Sequence, residues 1–204
     1  MKKLKFLSFL MCCMSALLVT SCLSDDDDSD RGLTPEQQGL CLNAIRGSYT
    51  GKLIYPSENP ANSTDKTDTL NTSCVVNPMD TTVVLYNFPA ELVAKWIKDG
   101  EVKDALMDAS EQDVKSKLYF YQNTPYIGFL TVPLPVEYDV FYGGAAHKVT
   151  AIFYSGQYSY GIHSASLKQM QIQYILGAVC LDGDTKTNLM NTSAYPAFLF
   201  DCKW

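Results

Sequence analysis

Gln169-Met170-Gln171-Ile172-Gln173-Tyr174-Ile175-Leu176-Gly177-Ala178-Val179-Cys180 decides the fold class. Met170, Ile172, Tyr174, Leu176, Ala178 and Cys180 recur every second residue, with Gln169, Gln171 and Gln173 between them. A period of two suits a strand and not a helix. The pattern predicts a strand over 167–180 with an apolar face and a wet glutamine face. Its apolar set can bury one whole face, which places this strand centrally in a sheet.

The neighbouring sequence extends that sheet in both directions. Asp182-Gly183-Asp184 turns the chain, and 196–204 reads as a last strand. Upstream, strands are expected at 115–122, 126–132, 136–142, 147–154 and 157–163, with Gly143-Gly144 marking a hairpin. Pro133 and Pro135 bracket Leu134, so that stretch is an edge or a crossover. Earlier strands are expected at 47–55, 69–76 and 81–88, the last two joined across Asn77-Pro78-Met79-Asp80. The polar segment 56–68 reads as an exposed loop.

Two stretches follow the helical period instead. Thr34-Pro35-Glu36-Gln37 forms a capping box with proline at the first helical position. Leu40, Cys41, Ala44 and Ile45 then share the face expected to lie on the domain. Over 89–109, Leu92, Val93, Trp96 and Ile97 form one helical face, Asp99-Gly100 interrupts it, and Val102, Ala105, Leu106 and Ala109 continue at helical spacing. Trp96 reads as a core anchor. The expected fold is mainly β (α+β): an antiparallel barrel or sandwich of about nine or ten strands, with an N-terminal helix and a helical pair inserted mid-chain. Residues 33–204 are expected to form a single β-rich domain, long enough to bury about 70% of its unfolded surface.

The N-terminus carries an address. Lys2, Lys3 and Lys5 precede an apolar run from Phe6 to Val19, too short to span a bilayer, which takes about 20 apolar residues. Leu18-Val19-Thr20-Ser21-Cys22 then resembles the lipobox of bacterial lipoproteins. That resemblance implies a signal peptide over 1–21, a diacylglyceryl group on the Cys22 thiol and a further acyl chain, such as palmitate, on its amine. At about 0.8 kcal/mol per buried CH₂, three chains hold a protein on a membrane almost permanently. Residues 22–32 form an acidic tether, and Leu23-Ser24-Asp25-Asp26-Asp27-Asp28-Ser29-Asp30 resembles the export signal of surface lipoproteins of Bacteroidetes. The implied location is the outer membrane, exposed at the cell surface, with the periplasmic face as the alternative.

Losing the leader takes the formal charge from −6 to −9, because three lysines leave and all 22 acidic residues stay. A chain so acidic excludes nucleic acid and anionic lipid as partners, since both need clustered Lys/Arg. Cys41, Cys74, Cys180 and Cys202 remain, an even number that suits either disulfides or buried free thiols.

Gly47-Ser48-Tyr49-Thr50-Gly51 resembles the opening strand of calycin-like lipoproteins. The layout as a whole, including Asn87-Phe88-Pro89 before the mid-chain helix, resembles a lipoprotein family known as domain of unknown function 4840. The resemblance implies location and size and no activity.

Catalytic patterns are absent from the sequence. No Gly-x-Ser-x-Gly elbow, HExxH or phosphate-cradling loop occurs. His147 and His163 are the only histidines available to a nucleophile pair. Asp182-Gly183-Asp184 lacks the other ligands of a calcium loop, and Glu137 with Asp139 share a strand face only because they are two apart. No metal or other cofactor is expected. Thirteen tyrosines give the best hint of binding: Tyr119 with Tyr121, Tyr138 with Tyr142, and Tyr158 with Tyr160 each recur on one strand face. Tyr119, Tyr121, Tyr158 and Tyr160 are the candidate ligand-stacking residues. Thr69 and Thr81 follow aspartates in Asp68-Thr69-Leu70 and Asp80-Thr81-Thr82, which resemble O-glycosylation acceptors. The expected function is a non-enzymatic, lipid-anchored envelope protein that binds a small ligand, glycan or protein. The alternative is an envelope or glycan hydrolase using His147 or His163.

Overall fold

The computed structural model describes residues 32–57, 66–191 and 195–203. The leader, Cys22 and nearly all of the acidic tether lie outside these residues. Ten strands form one antiparallel sheet: β1 Gly47–Pro56, β2 Thr67–Asn77, β3 Thr82–Phe88, β4 Gln112–Gln122, β5 Ile127–Pro133, β6 Val136–Tyr142, β7 Ala145–Phe153, β8 Gly156–Ser164, β9 Gln169–Leu181 and β10 Ala197–Lys203. Each expected strand is present within a few residues of its expected limits. The strand order β10-β1-β2-β3-β4-β5-β8-β9 closes through a β10–β9 pairing, giving an eight-stranded barrel with β7 and β6 added as two further strands. The barrel, not the sandwich, is the fold.

β9 makes the closure possible because it is long enough to have two sets of neighbours. Its first half pairs with β8 on one edge and β10 on the other, from Gln169 to Gln173 in both ladders. Its second half, from Leu176 to Leu181, pairs with β7. The switch falls at Gly177, which has no counterpart on β7 between the pairs Ala178–Ile152 and Leu176–Phe153. The Tyr154 ring lies against Gly177, and a Cβ there would stand 3.1 Å from it. The extra residue shifts the alternation by one, so Val179 is buried in the core and Ala178 is half-exposed. This corrects the expectation that Ala178 continues the inner face, and a bulge is the physical reason.

The glutamine face is corrected as well. Gln169 and Gln171 are 6% and 2% exposed. Strands on both edges of β9 set Ile162 and Asp201 beside Gln171, so little of it meets water. The Gln169 Nε2 donates to Asp201 Oδ1 at 2.5 Å, whereas Gln171 Nε2 has no partner.

The helices are α1 Pro35–Ile45, α2 Ala90–Ala94 and α3 Glu101–Met107. The capping box of α1 is formed, with Gln37 N donating to Thr34 Oγ1 at 3.2 Å and Thr34 N to Gln37 Oε1 at 2.9 Å. Cys41 and Ile45 are its buried pair; Leu40, 64% exposed, and Ala44 point away, so the buried stripe is narrower than expected. Trp96 and Ile97 follow α2 rather than belonging to it. Ile97 is buried, bridged to Met190, and Trp96 packs half-buried against the core. The hairpin at Gly143-Gly144 has φ of 56° and 81° at its two glycines, the left-handed pair that a tight two-residue turn between twisted strands requires.

Side chains fill the lumen. Leu53, Leu85, Phe129, Tyr174, Phe198 and Phe200 are each less than 2% exposed. Phe88 meets Phe198 edge to face with centroids 5.1 Å apart and Phe153 at 5.6 Å, which joins the barrel core to the added strands. Eight strands enclose a space that side chains alone can occupy.

Leu176→Ala should cost about 2–5 kcal/mol of stability, through lost transfer energy and a residual cavity. Gln171→Met, which removes an unpaired buried amide at similar volume, should be neutral or stabilise by up to about 1 kcal/mol. Urea unfolding of the two variants tests this pair; comparable losses at both positions would show that the Gln171 amide is satisfied.

Candidate functional site

The stacking candidates lie on the outside of the barrel. β4, β5, β8 and β9 align Tyr119, Leu130, Tyr160 and Gln173 as successive cross-strand neighbours. Tyr119 is 53% and Tyr158 50% exposed, whereas Tyr160 is buried at 8%. The Tyr121 ring lies over Gly128, where a Cβ would stand 2.6 Å from it. Only glycine permits so close a ring, and Gly128 therefore sets the position of Tyr121. Gln173 ties the row to the next segment, its Nε2 donating to the Tyr158 carbonyl at 3.4 Å.

Two tyrosines absent from the sequence-based set extend this strip. The Tyr154 ring centroid is 5.4 Å from that of Tyr158 and 5.1 Å from that of Tyr195, and Tyr195 is 49% exposed. A hydrogen bond with Tyr195 raises the Tyr154 phenol above its ordinary range, with burial adding to the effect. Tyr195 stands in a connection outside any strand, so strand periodicity gives no sign of it. Tyr154 follows β7 directly, beside the bulge, where alternation breaks down. The other tyrosine pair, Tyr138 and Tyr142, divides: Tyr138 is fully buried and Tyr142 serves His147.

The two histidines are far apart in character. His163 is 5% exposed, opposite Met170 and Ile127, and burial lowers its pKa, which favours neutral imidazole. His147 Nδ1 is 2.8 Å from Asp182 Oδ2, and its ring stacks on Tyr142 with centroids 4.1 Å apart. Asp182 also accepts from Lys148 N at 2.8 Å. The His147 hydrogen bond, then the Lys148 backbone bond, hold the Asp182 carboxyl below its usual range. Among the described residues, the hydrogen bonds of this pair join His147 to Asp182 and Asp182 to the Lys148 backbone, and include no serine, threonine or cysteine.

Other candidates resolve as structure. Asp182-Gly183-Asp184 is a turn, with Asp184 N donating to the Leu181 carbonyl at 2.9 Å, and among the described residues no group of three His, Cys, Asp or Glu is placed to hold a metal. Glu137 pairs with Lys148 at 2.8 Å. Cys41, Cys74, Cys180 and Cys202 are all free and buried. Burial raises all four thiols, Cys202 to about 11, so none is primed as a nucleophile. Thr69 is exposed on β2 opposite Ile54. Thr81 is half-buried with φ 53°, and its carbonyl accepts from Leu118 N.

A polar cleft of about 540 Å³ opens over β1 and β2, lined by Thr50, Gly51, Lys52, Asn71, Thr72, Ser73 and Asn87. Sequence reasoning missed it; its one signal is the asparagine two residues before Pro89.

Comparison with known proteins adds one match. The profile of a family described as "Domain of unknown function (DUF4840)" covers residues 44–181. No curated protein and no solved structure matches.

Asp182 supplies a pH test. A carboxyl held below its ordinary pKa stabilises the fold above that ordinary value, about 3.9, and the contribution is lost as pH falls through the depressed native value. The stability difference between wild type and Asp182→Asn should therefore shrink as pH falls below about 4 and through the depressed native value. Carboxyl carbon NMR of Asp182 in His147→Ala should show its pKa moving up toward the ordinary value; an unmoved titration would detach Asp182 from the histidine.

Proposed function

We propose that this chain, which belongs to the DUF4840 family of domains of unknown function, is a lipid-anchored envelope protein that binds its ligand without catalysis on the outside of its barrel. The carrying observation is the half-exposed tyrosine strip of Tyr119, Tyr154, Tyr158 and Tyr195 on a barrel whose lumen is filled. A lipocalin-type carrier needs an empty lumen, and aromatic core residues occupy this one. Binding is therefore directed to the outer surface. Flat tyrosine faces with hydroxyl tips suit sugar rings, which present an apolar face and polar rims.

The hydrolase reading has less support. His163 is buried in the barrel wall, and the described hydrogen bonds of His147 and Asp182 include no serine, threonine or cysteine. On the binding reading the acyl groups at Cys22 hold the domain to the outer membrane, and the acidic tether carries it to the cell surface.

Immobilised glycans presented to the full chain should retain it. Tyr119→Ala and Tyr158→Ala should each weaken retention about three- to tenfold with little change in melting temperature, since each removes one exposed ring. Retention unchanged in both variants would remove the strip from the binding surface. For the anchor, Cys22→Ala should shift the protein out of the detergent phase on partitioning, and Asp25–Asp28 changed to alanine should reduce protease shaving of intact cells. A Cys22→Ala protein that still partitions with detergent would refute lipidation.

A further inference from the structure

We infer that the tyrosine strip takes a single uncharged oligosaccharide chain, several sugars long and turning along its length, of the α-1,4-glucan kind. The inference rests on the binding reading proposed above and adds the charge, length and shape of the ligand.

The charge follows from the sequence laid on the sheet. Neighbouring strands β5, β8 and β9 lie within 118–136, 149–162 and 169–181, stretches that contain no Asp, Glu, Lys, Arg or His. The segment 187–200, which brings Tyr195, is equally free of them. The chain has 16 basic and 22 acidic residues, so three adjacent strands without one set this wall apart. Its margins carry charge again, Lys117 on β4 and Asp201 on β10, of opposite sign. Between them the outward row is Leu130, Tyr160 and Gln173. A charged ligand seated there would give up its water without meeting a countercharge. Sugar hydroxyls need only the phenol and carboxamide groups that the wall offers.

The length follows from the spacing of the rings. Tyr119 on β4 and Tyr158 on β8 are separated by β5, which is two strand spacings or about 10 Å. One hexose ring covers one tyrosine ring. Tyr158, Tyr154 and Tyr195 continue the path with centroid steps of 5.4 and 5.1 Å. Several linked sugars are needed to follow it, and each later contact forms at high local concentration once the first is made.

The shape follows from the tilt of the rings. Tyr154 is inclined at 46° to Tyr158 and at 80° to Tyr195. Packing on Gly177 and a hydrogen bond with Tyr195 hold the Tyr154 ring in this attitude. β4 and β8 stand two strands apart on a closed barrel of eight, which turns their outward side chains about a quarter of a circle from each other. A β-1,4-linked chain is an extended flat ribbon and can lie on one of these rings at a time. An α-1,4-linked chain coils, so its successive sugar faces turn as the rings do. The same convexity disfavours a second copy of this chain as occupant. Two convex walls meet over little area, and a specific interface needs about 1,000 Å².

Calorimetry and tyrosine-ring NMR of the full chain, in micelles of a detergent without a sugar headgroup, test this with glucose, maltohexaose, cellohexaose and hexagalacturonate. Maltohexaose should bind at least about tenfold tighter than glucose and several-fold tighter than the other two hexamers. Its affinity should hold from low to high salt, because no charge is met. Tyr158→Ala and Tyr195→Ala should each weaken maltohexaose binding about three- to tenfold at unchanged melting temperature, with Tyr158→Phe close to wild type. Glucose as tight as maltohexaose overturns the length, cellohexaose as tight overturns the turning shape, and hexagalacturonate as tight overturns the absence of charge. Each of these leaves the strip a glycan surface when the tyrosine variants weaken that probe. If no hexamer shifts the rings of Tyr158 or Tyr195, the strip and this inference fall together, as they do if sedimentation shows a dimer that Tyr158→Ala dissociates.

Discussion

Hydrogen bonding along both edges of β9 is the constraint on which the rest of the structure depends. Its first half receives β8 and β10 together, and that double pairing brings the last strand back to the sheet and closes the barrel. Its second half leaves the barrel wall and carries β7 and β6. One residue, Gly177, separates the two regimes. The bulge there re-aims Val179 into the core and leaves a flat place on which the Tyr154 ring rests, so the same irregularity that ends the barrel ladder also positions the middle of the tyrosine strip.

A second slip, between Leu85 and Phe88 on β3, has the same logic. Regular alternation from Leu85 would send Asn87 inward and Phe88 to solvent. The extra residue reverses this, and Phe88 takes its place between Phe153 and Phe198. The Tyr138 hydroxyl reaches the Phe88 carbonyl at 3.5 Å, so the first residue of the hydrophobic junction is also tied to β6. What the bulge gives to the core in Phe88 it gives to the surface in Asn87.

Strand periodicity made most of the fold legible. The strands announced themselves by alternation and by their turns, because both are local properties of sequence. Gln169 and Gln171 show where that reasoning stops. An alternating polar residue is solvated only if nothing stands beside it, and closure of a barrel sets neighbours on both sides of β9. Closure is a long-range event that residues near 170 do not encode. Ala178 fails for a related reason, since a bulge changes the phase of alternation and Gly177 alone does not say that it will. Of the stacking candidates, Tyr119 and Tyr158 are exposed as a binding role needs, and Tyr160 is largely covered by its neighbourhood. Tyr195, in an irregular connection, has no periodicity to betray it. Gly51-Lys52 and Asn71-Thr72 come together only through the register of β1 against β2, which sets residues about 20 apart in sequence side by side.

A filled barrel bears on the expectation drawn from the likeness of Gly47–Gly51 to a calycin opening strand. Tyr49 stands on β1 with its hydroxyl donating to the Ile45 carbonyl at 2.5 Å, so it pins α1 to the barrel instead of walling a ligand chamber. The four buried thiols follow suit as small apolar side chains. Once the interior is given over to packing, the proposed binding falls to outer side chains that water can reach. Tyr119 on β4 and Tyr158 on β8 are held by strands, whereas Tyr154 and Tyr195 stand in connections and pack on each other. Strands fix Tyr119 and Tyr158, so a ligand meeting those two rings would lose little of its binding energy to ordering the protein.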